Sequence, residues 1–322
     1  MVDRRQLLTT LVGGLLGGVV VPRRGAAQTA GLAPPSATLD VSLGDRLSLV
    51  TSGGTNVLAL STADGLVMVD SGAPDLADPL MASLRRLSTG SPSLASARPG
   101  GVRTVFNTHW HLSNTGANEM LRQGGAAILA HENTRLWMAT RTWMPVEDRY
   151  REPRPQAAHP TETFRVEGSM NAGGERIEYG YLIEAHTSGD IYVFFRDSNV
   201  LAVGDVLSPA RDAELDYFTG AWIGGRVDAL ERLVPLTDDR TRIVPGYGPV
   251  MSRADLLAER DMMKTIYERA VDRVRESDGA DDMLEAGVLK GLARTWTNPQ
   301  RFLYDVQKGL WAHHNKLNAN VV

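Results

Sequence analysis

The sequence predicts an α/β protein in which helices cover a sandwich of two β-sheets. In each half of the chain, short strand-like segments joined by hairpin-like turns come first and a helix-like segment follows. A helical tail then closes the chain. Hairpin-linked strands imply antiparallel neighbours, which favours a layered sandwich over a barrel of parallel strands.

The first half opens with hairpin-linked strands and a helix. The turn sequences SGG and ADG separate strand-like runs at residues 46–50, 55–62 and 65–72. Leucines at helical spacing predict a helix over residues 74–87, with Pro79 in its first turn. The Ser-, Gly- and Pro-rich residues 88–101 predict a flexible loop.

Two further strand and helix pairs complete this half. Residues 102–108 and 126–131 predict strands, while residues 117–125 and 132–140 predict helices. The Pro- and Arg-rich residues 142–160 predict one long, solvated loop.

The second half repeats this pattern. Strands are predicted at residues 163–168, 175–185, 191–197 and 199–205, followed by a helix at 222–236 and a strand within 241–249. Residues 252–318 predict a helical tail. Its last helix begins after Asn298 as N-cap, with Pro299 at the first helical position.

Composition excludes several kinds of site. The net charge of −4 comes with no basic cluster that would indicate nucleic-acid binding. The chain has no cysteine, so disulfides, thiolate zinc sites and cysteine nucleophiles are excluded. Any metal must be held by nitrogen and oxygen, and the chain has only 7 histidines.

The first residues have the pattern of an export signal. Paired arginines, Arg4 and Arg5, precede a short apolar run that ends before a second basic pair. This pattern resembles a twin-arginine signal over residues 1–27, followed by a linker over residues 28–40. It predicts a periplasmic protein without a stable membrane span after cleavage, although an uncleaved anchor remains an alternative. Cleavage would leave 34 − 4 = 30 basic and 38 − 1 = 37 acidic residues.

Candidate functional groups follow the predicted strands. Strands hold such groups rigidly while the loops after them are free to vary. The groups that follow strands in this way are Asp70, His109, His111, His186, Asp205 and Tyr247.

The histidines predict a zinc site. Three neutral imidazoles and a water make a tetrahedral site with one open position, and zinc lowers the pKa of such a water toward ~7. Asp205 could complete the ligand set or deprotonate the water. Spacing alone leaves open that His109 and His111 are surface residues and that His186 is structural.

The order of these motifs resembles that of the metallo-β-lactamase-fold hydrolases over about residues 40–255. The family carries an early Asp, His-x-His-x-Asp-His, a His in an HT-x-GD loop, a GD Asp and a PGHG His. These align with Asp70, HWHLSN, HTSGD, VGD and PGYG. The resemblance implies an αβ/βα four-layer sandwich over residues 41–255, with residues 256–322 as a helical extension packed on it. It also implies that Asp70 steadies a histidine of the metal loop.

The sequence departs from the family where a second metal would bind. The first-metal positions are His109, His111 and His186. The second-metal positions are Ser113, Asn114, Asp205 and Tyr247, of which only Asp205 is a good ligand. Ser and Asn are weak ligands for Zn²⁺, and a Tyr must first lose a proton with a pKa of ~10.

These matches and departures predict an exported hydrolase with one zinc ion rather than two. Metal-bound hydroxide would attack an ester, amide or related bond of a small-molecule substrate. Asp205 would be ligand or base, Tyr247 would donate to an oxyanion, and Ser113 and Asn114 would orient water or substrate. The alternatives are a binding protein that has lost catalysis, with or without a metal, and an iron or other redox site. A homodimer is left open.

The remaining histidines are interpreted as structural or solvated. His131 is interpreted as structural, because the residues Glu-Asn-Thr that follow it offer N-cap chemistry, with a place in the lining of the site as the alternative. His159 would lie in a solvated loop, and His313 and His314 would form a surface pair. The basic run RYREPRPQ is interpreted as a solvated loop rather than an anion site. An apolar lid over the site, formed by Trp137, Met138, Trp143 and Met144, is the alternative to a core cluster.

Overall fold

Two mixed β-sheets lie at the centre of the chain. The computed structural model describes residues 39–88, 101–144 and 148–314, so the predicted signal segment and most of the linker lie outside the described residues. In chain order, the strands are β1 (Leu39–Ser42), β2 (Leu47–Ser52), β3 (Thr55–Thr62), β4 (Gly65–Val69), β5 (Val102–Phe106), β6 (Ala127–His131), β7 (Thr142–Met144), β8 (Arg149–Arg151), β9 (Glu162–Phe164), β10 (Glu167–Ala172), β11 (Glu175–Tyr181), β12 (Ile191–Phe195), β13 (Val200–Gly204) and β14 (Arg242–Pro245).

The helices lie mostly after the strands of each half. They are α1 (Ala77–Ser88), α2 (Leu112–Thr115), α3 (Asn118–Gln123), α4 (Glu132–Ala139), α5 (Ile223–Leu233), α6 (Arg253–Arg275), α7 (Ala280–Glu285) and α8 (Pro299–Ala312). As predicted, the side chain of Asn298 caps α8 by accepting from the backbone N–H of Arg301, and Pro299 begins the helix.

Each sheet combines hairpin and parallel pairings. The first sheet has the order β1-β2-β3-β4-β5-β6-β9, and its strands are antiparallel up to β4 and parallel from β4 to β9. The second has the order β10-β11-β12-β13-β14, with only β13 and β14 parallel. The carboxyl ends of parallel neighbours meet at one edge of a sheet, which brings the loops after β4 and β5 together, and likewise those after β13 and β14.

The apolar side chains form three layers of core. Leu58 and Phe106 of the first sheet pack with Val193 and Phe195 of the second, between the two sheets. On the outer face of the first sheet, side chains such as Met68 pack against α1 and α3. On the outer face of the second, α5, α6 and α8 form the largest cluster. The αβ/βα four-layer sandwich with a helical C-terminal region is therefore confirmed.

The tail helices share this outer core. Leu256, Met263 and Ile266 of α6 and Phe302 of α8 are buried against α5 and the second sheet. The domain boundary predicted at residue 255 falls inside α6 and stays a prediction. Within the described residues, no helix is both long enough and apolar enough to cross a membrane.

The predicted long loop at residues 142–160 contains more structure than expected. Strands β7 and β8 form an antiparallel hairpin, and a short 3-10 turn spans Gln156–Ala158. Trp143 and Tyr150 face each other across the hairpin with ring centroids 4.9 Å apart. Such a cross-strand aromatic pair stabilises a hairpin that composition alone does not reveal.

Candidate metal centre

The three candidate metal-binding histidines lie in two loops at the ends of strands. His109 and His111 follow β5, and His186 lies in the loop between β11 and β12. The first loop approaches the second sheet closely, because a Cβ on Gly204 would lie only 2.5 Å from Oγ1 of Thr108. Glycine at the end of β13 therefore lets the two sheets meet at the histidines.

The three imidazoles surround a common point. One nitrogen from each of His109, His111 and His186 lies within 4.8 Å of the others. The ring centroids are 4.7–4.9 Å apart and the ring planes are 84–87° from one another. This arrangement can hold a metal ion.

The outer nitrogen of each imidazole faces a hydrogen-bond partner. His109 Nδ1 lies 3.1 Å from Thr108 Oγ1, and His111 Nε2 lies 3.2 Å from Asp216 Oδ2. His186 Nδ1 lies 2.9 Å from the Glu214 carbonyl oxygen. Thr108 Oγ1 itself donates to Asp70, so it accepts from His109. Each outer nitrogen is therefore a donor.

The inner nitrogens are left as acceptors. His111 Nδ1 and His186 Nε2 face each other at 3.0 Å, although both rings use their N–H elsewhere. His109 Nε2 is buried and has no hydrogen-bond partner among the described residues. Converging lone pairs repel one another unless a cation lies between them, and buried polar atoms are rarely left unpaired. The donor set therefore fits a bound metal ion, and its neutral imidazoles suit zinc, iron or copper.

Burial and charge affect the histidines differently. Burial lowers the pKa of His109 well below its usual value, and His186 and His111 lower it further. Burial also opposes protonation of His111, but the hydrogen bond to Asp216 and its charge outweigh burial and raise the pKa of His111. Burial would raise the pKa of Asp216, yet its contact with His111 lowers it overall, so Asp216 is anionic.

Asp205 lies beside the inner nitrogens of two of the histidines. Its Oδ2 lies 3.7 Å from His186 Nε2 and 4.0 Å from His109 Nε2. The same oxygen accepts a hydrogen bond from the guanidinium of Arg211. Behind it, Nη1 of the buried Arg226 donates to the Asp205 carbonyl at 3.2 Å. Asp205 is therefore held at the edge of the cluster from two sides.

Asp70 fixes the histidine loop through Thr108 rather than by touching an imidazole. It accepts from the backbone N–H of Thr108 at 2.8 Å, from Thr108 Oγ1 at 2.7 Å and from Asn114 Nδ2 at 3.0 Å. Burial raises the pKa of Asp70 to about 7. The resemblance implied that Asp70 steadies a histidine of the metal loop. In the structure, Asp70 binds Thr108, and Thr108 Oγ1 in turn accepts from His109 Nδ1.

Of the other predicted site residues, Ser113 and Asn114 bind each other, whereas Tyr247 packs on Gly54 and Arg211. Ser113 Oγ donates to Asn114 Oδ1 at 2.8 Å, and Asn114 Nδ2 donates to Asp70. The Tyr247 ring fills the space over Gly54, where a Cβ would lie 2.2 Å from the ring. The Arg211 guanidinium lies 5.0 Å from the Tyr247 ring centroid. The carboxamide of Asn114 is thus hydrogen-bonded at both ends, and its role in orienting water stays a prediction.

Sequence reasoning missed the groups that support the cluster. Thr108, Arg211, Glu214 and Asp216 all contact a predicted site residue, and none of them was identified. The acidic stretch at residues 212–216 directly follows the Asp205 loop, which is the only signal the sequence offers. Nothing in its spacing indicates that one carboxylate and one carbonyl face different imidazoles.

A cavity of about 590 Å³ opens beside His111. Trp110 and Trp137 contribute aromatic surface to it, and Arg149, Arg151 and Arg154 line it as well. The interpretation of this basic run as a solvated loop is wrong for Arg151 and Arg154, which are partly buried. Arg151 ends β8 and Arg154 follows it, and both line the same cavity as His111.

The remaining histidines are structural in three of four cases. His131 stacks on Tyr181 with ring centroids 3.8 Å apart, and it is itself the N-cap of α4, where it accepts from the backbone N–H of Asn133, so it is structural although the cap was expected in the residues after it. His159 Nε2 lies 2.9 Å from the Arg154 carbonyl. His313 is buried and stacks on Trp222 at 4.9 Å, so its assignment to a surface pair was wrong, whereas His314 is exposed. His313 is the C-cap residue of α8, and its backbone N–H donates to the Gly309 and Leu310 carbonyls.

Of the four residues considered for a lid, Trp137 lines the cavity and Met138 is buried. Trp143 is exposed on the hairpin.

Comparison with known families gives one extended match. The family described as the metallo-beta-lactamase superfamily matches residues 50–267, which include all the strands of both sheets from β3 onward and every residue of the histidine cluster.

Two characterised relatives are similar over most of this region. The metallo-beta-lactamase type 2 of Bacillus cereus is 25% identical over 211 residues, which cover 65% of this chain and 73% of the relative. The enzyme of the same name from Bacillus sp. (strain 170) is 24% identical over the same length and coverage.

A solved structure is similar in fold. The metallo-beta-lactamase from Pontibacter korlensis superposes with a TM-score of 0.56 at 18% identity, covering 71% of this chain and 99% of that one. At this identity the likeness supports the fold alone.

Proposed function

The chain belongs to the metallo-β-lactamase superfamily and is a metallo-hydrolase, and we propose that it uses one zinc ion to hydrolyse an ester, amide or related bond of a small molecule. The substrate bond, the metal identity and the metal count are the parts of this statement that need testing.

One observation carries the proposal. His109, His111 and His186 direct three lone pairs toward one point, while Thr108, Asp216 and the Glu214 carbonyl accept hydrogen bonds from their outer N–H groups. Partners of this kind fix the tautomer and raise the basicity of ligating histidines. Such an arrangement favours a bound cation, because the converging lone pairs repel one another without one.

A bound zinc ion would supply a Lewis acid that lowers the pKa of a water molecule to about 7. The chain's own residues supply position and proton transfer. Oδ2 of Asp205 faces the inner nitrogens of His109 and His186, from which it can ligate the metal or accept a proton. Arg211 holds that carboxylate in place.

We assign the other predicted roles on the same basis. The hydroxyl of Ser113 lines the cavity, where it can contact water or substrate. Asn114 holds Asp70 and Ser113, and through Asp70 it holds the histidine loop. The Tyr247 ring packs against the Arg211 guanidinium. From this position, the phenol of Tyr247 is proposed to donate a hydrogen bond to an oxyanion.

The proposal of one metal rests on the second set of positions. Asp205 is paired with Arg211, and Ser113 and Asn114 are neutral and bonded to each other. A second dication beside a guanidinium would meet repulsion and few anionic ligands.

Metal analysis tests the proposal most directly. Freshly purified protein should contain about one equivalent of zinc, and the His109→Ala/His186→Ala double variant should contain none. The zinc form should hydrolyse at least one member of a panel of esters, lactones, β-lactams and phosphoesters. One zinc without any turnover would favour a binding protein on this scaffold, and an iron-based visible spectrum would favour redox chemistry.

We also propose that the protein is exported to the periplasm, on the basis of the twin-arginine pattern in residues 1–27. Replacing Arg4 and Arg5 by lysine should leave the precursor in the cytoplasm in a fractionation experiment. Export of this variant at the normal rate would contradict a twin-arginine route.

A further inference from the structure

The cavity beside His111 contains two arginines that have no carboxylate partner. Among the described residues, no Asp or Glu oxygen lies within ion-pair distance of Arg151 or Arg154. By contrast, Arg301 of the cavity and Arg141, which directly precedes the hairpin, each have a carboxylate partner. Arg301 binds both carboxylate oxygens of Asp305 at 3.0 and 3.2 Å, and the cavity's Glu152 binds Arg141 at 2.9 Å.

Arg151 is held in place by neutral groups. Its Nη2 donates to the Trp137 carbonyl at 3.3 Å and to Thr142 Oγ1 at 3.0 Å. Its guanidinium carbon lies 3.7 Å from the centroid of the Trp110 ring. Nη1 is buried and has no hydrogen-bond partner among the described residues. The side chain is therefore positioned, while its charge is not matched by any bonded anion.

Arg154 is positioned in a similar way. Its Nη1 donates to Thr115 Oγ1 at 3.1 Å, and its Nη2 donates to the Thr115 carbonyl at 3.4 Å. Thr115 belongs to α2, which begins directly after His111. Arg154 thus links the cavity wall to the loop that carries the candidate ligands.

The nearby carboxylates have other partners. Asp216 is hydrogen-bonded to His111 and Thr219, and Asp205 is bonded to Arg211. Glu214 also lines the cavity, its backbone carbonyl faces His186 Nδ1 at 2.9 Å, and its carboxylate makes no ion pair with Arg151 or Arg154 among the described residues. A metal cation at the histidines would balance these acidic groups and leave the two arginines for another anion.

Keeping a partly buried guanidinium without a counter-ion has a cost. Burial lowers the pKa of both Arg151 and Arg154. Because a desolvated cation is unfavourable unless it is paired, a pair of such groups at a cavity is suited to a ligand that brings the missing charge.

We infer that Arg151 and Arg154 form a subsite for the anionic group of a small-molecule substrate whose apolar body lies against Trp110 and Trp137. This inference deepens the proposed function, on which its meaning for the substrate rests. The anion is a carboxylate, sulfonate or phosphate, since guanidinium groups bind the oxygens of all three. With the anion at the arginines, the bond to be cleaved would extend toward His111.

A matched pair of probes tests the subsite without knowledge of the substrate. 2-Naphthalenesulfonate and the neutral methyl 2-naphthyl sulfone share the same aromatic body, and a sulfonate oxygen is a weak ligand for zinc. Binding to the full chain is followed by tryptophan fluorescence, because Trp110 and Trp137 line the cavity. We expect the sulfonate to bind roughly tenfold more tightly than the sulfone.

Charge-neutralising variants identify the arginines responsible. Arg151→Gln and Arg154→Gln should each weaken sulfonate binding roughly fivefold to tenfold and leave sulfone binding unchanged. Arg165→Gln is the matched control, because Arg165 is exposed, pairs with Glu132 and lies outside the cavity lining. Near-ultraviolet circular dichroism of each variant verifies folding.

The outcomes separate this inference from the proposed function. Equal affinity of the unchanged protein for the two probes would overturn the subsite, and this comparison does not depend on the folding of any variant. An equal loss of sulfonate binding in Arg165→Gln would also overturn it. Repeating the titration before and after zinc addition distinguishes a failure of the subsite from a failure of the proposed hydrolase. Sulfonate binding that needs zinc but not the arginines overturns the subsite alone. Arginine-dependent binding in a protein that takes up no zinc retains the subsite and contradicts the proposed hydrolase.

Discussion

Residues 109–111 and residues 113–114 are neighbours on one loop, yet their side chains are used in opposite ways. His109 and His111 bond outward and leave their inner nitrogens without a stable partner. Ser113 donates to Asn114 and Asn114 donates to Asp70, so neither offers a strong ligand atom for a metal. A metal site requires lone pairs that the protein itself does not satisfy, and only the first region provides them.

The same contrast extends to the groups around each region. The histidine cluster has anionic support from Asp216, while the neighbouring region has a cation, Arg211, bonded to Asp205. Where the family's second metal would bring positive charge, this chain provides a guanidinium. The following predictions test this difference, beginning with the largest effect.

Removing one imidazole should abolish most of the metal affinity. His109→Ala deletes one of the converging nitrogens, and each ligand of a four-coordinate zinc site contributes about 3–4 kcal/mol, so the affinity should fall by more than a hundredfold. Competition with a zinc-binding dye measures this loss. His159→Ala deletes a histidine outside the cluster and should bind zinc normally. An unchanged affinity in His109→Ala would place the metal elsewhere.

Breaking the ionic network behind Asp205 should destabilise the fold. Glu259 is buried, its Oε2 accepts from Arg294 at 2.7 Å, and its Oε1 lies 4.0 Å from Arg226, which donates to the Asp205 carbonyl. Glu259→Gln leaves two buried cations with weaker partners, so the free energy of unfolding should fall by about 3 kcal/mol. Urea unfolding gives this value.

Glu268→Gln makes the same change at an exposed position of α6 and should have little effect. Equal stability of the two variants would mean that Asp205 is held by Arg211 alone.

Removing the anionic support of His111 should weaken metal binding moderately. Asp216→Asn should lower zinc affinity by about tenfold to a hundredfold at neutral pH, as losses of such partners generally do. Asp239→Asn changes an exposed aspartate and serves as the control for net charge.

The pH dependence gives an independent measurement in the same variant. Asp216 raises the pKa of His111, and protonated His111 cannot ligate, so zinc binding should weaken as the pH falls through that raised value. In Asp216→Asn the pKa of His111 should be lower, and the midpoint of zinc loss should move to lower pH. A midpoint that does not move would contradict the role of Asp216.

Removing the charge of Arg211 should have the smallest effect, and it should raise zinc affinity rather than lower it. Arg211→Met removes a charge that repels a dication and occupies Asp205, so affinity for the first zinc should rise by about fivefold. Zinc content measured by mass spectrometry should stay at one per chain, because Ser113 and Asn114 remain. Arg240→Met is the exposed control. Uptake of a second zinc would show that Arg211 alone prevents a dinuclear site.

Much of the fold could be predicted from the sequence. The segment at residues 55–62 was correctly predicted as a strand, and the predicted segment 65–72 contains a strand that ends at Val69. Both could be found because their apolar residues are bounded by Gly-containing turns. The helix at residues 74–87 followed from its leucine spacing. The hairpin at residues 142–151 was missed, because proline and arginine content obscured the pairing of Trp143 with Tyr150.

The candidate site was predicted less evenly. The three histidines could be found because they lie in short motifs after strands. Arg211, Asp216 and Arg151 could not, because each meets its partner only through the packing of loops distant in sequence, such as the 105 residues between His111 and Asp216.

By itself, the sequence determined the identity of the donor atoms. It contains no cysteine, it places His109 and His111 after one strand and His186 in a later loop, and it puts Ser113 and Asn114 at positions that need anions for a second metal. Tertiary structure decided which atoms of those residues are available. Hydrogen bonds donated to Thr108 Oγ1, the Asp216 carboxylate and the Glu214 carbonyl fix the tautomers of the histidines, and Arg211 fixes the charge beside Asp205. These partners act over about 3 Å, and at that range only the folded arrangement of side chains determines which lone pairs remain.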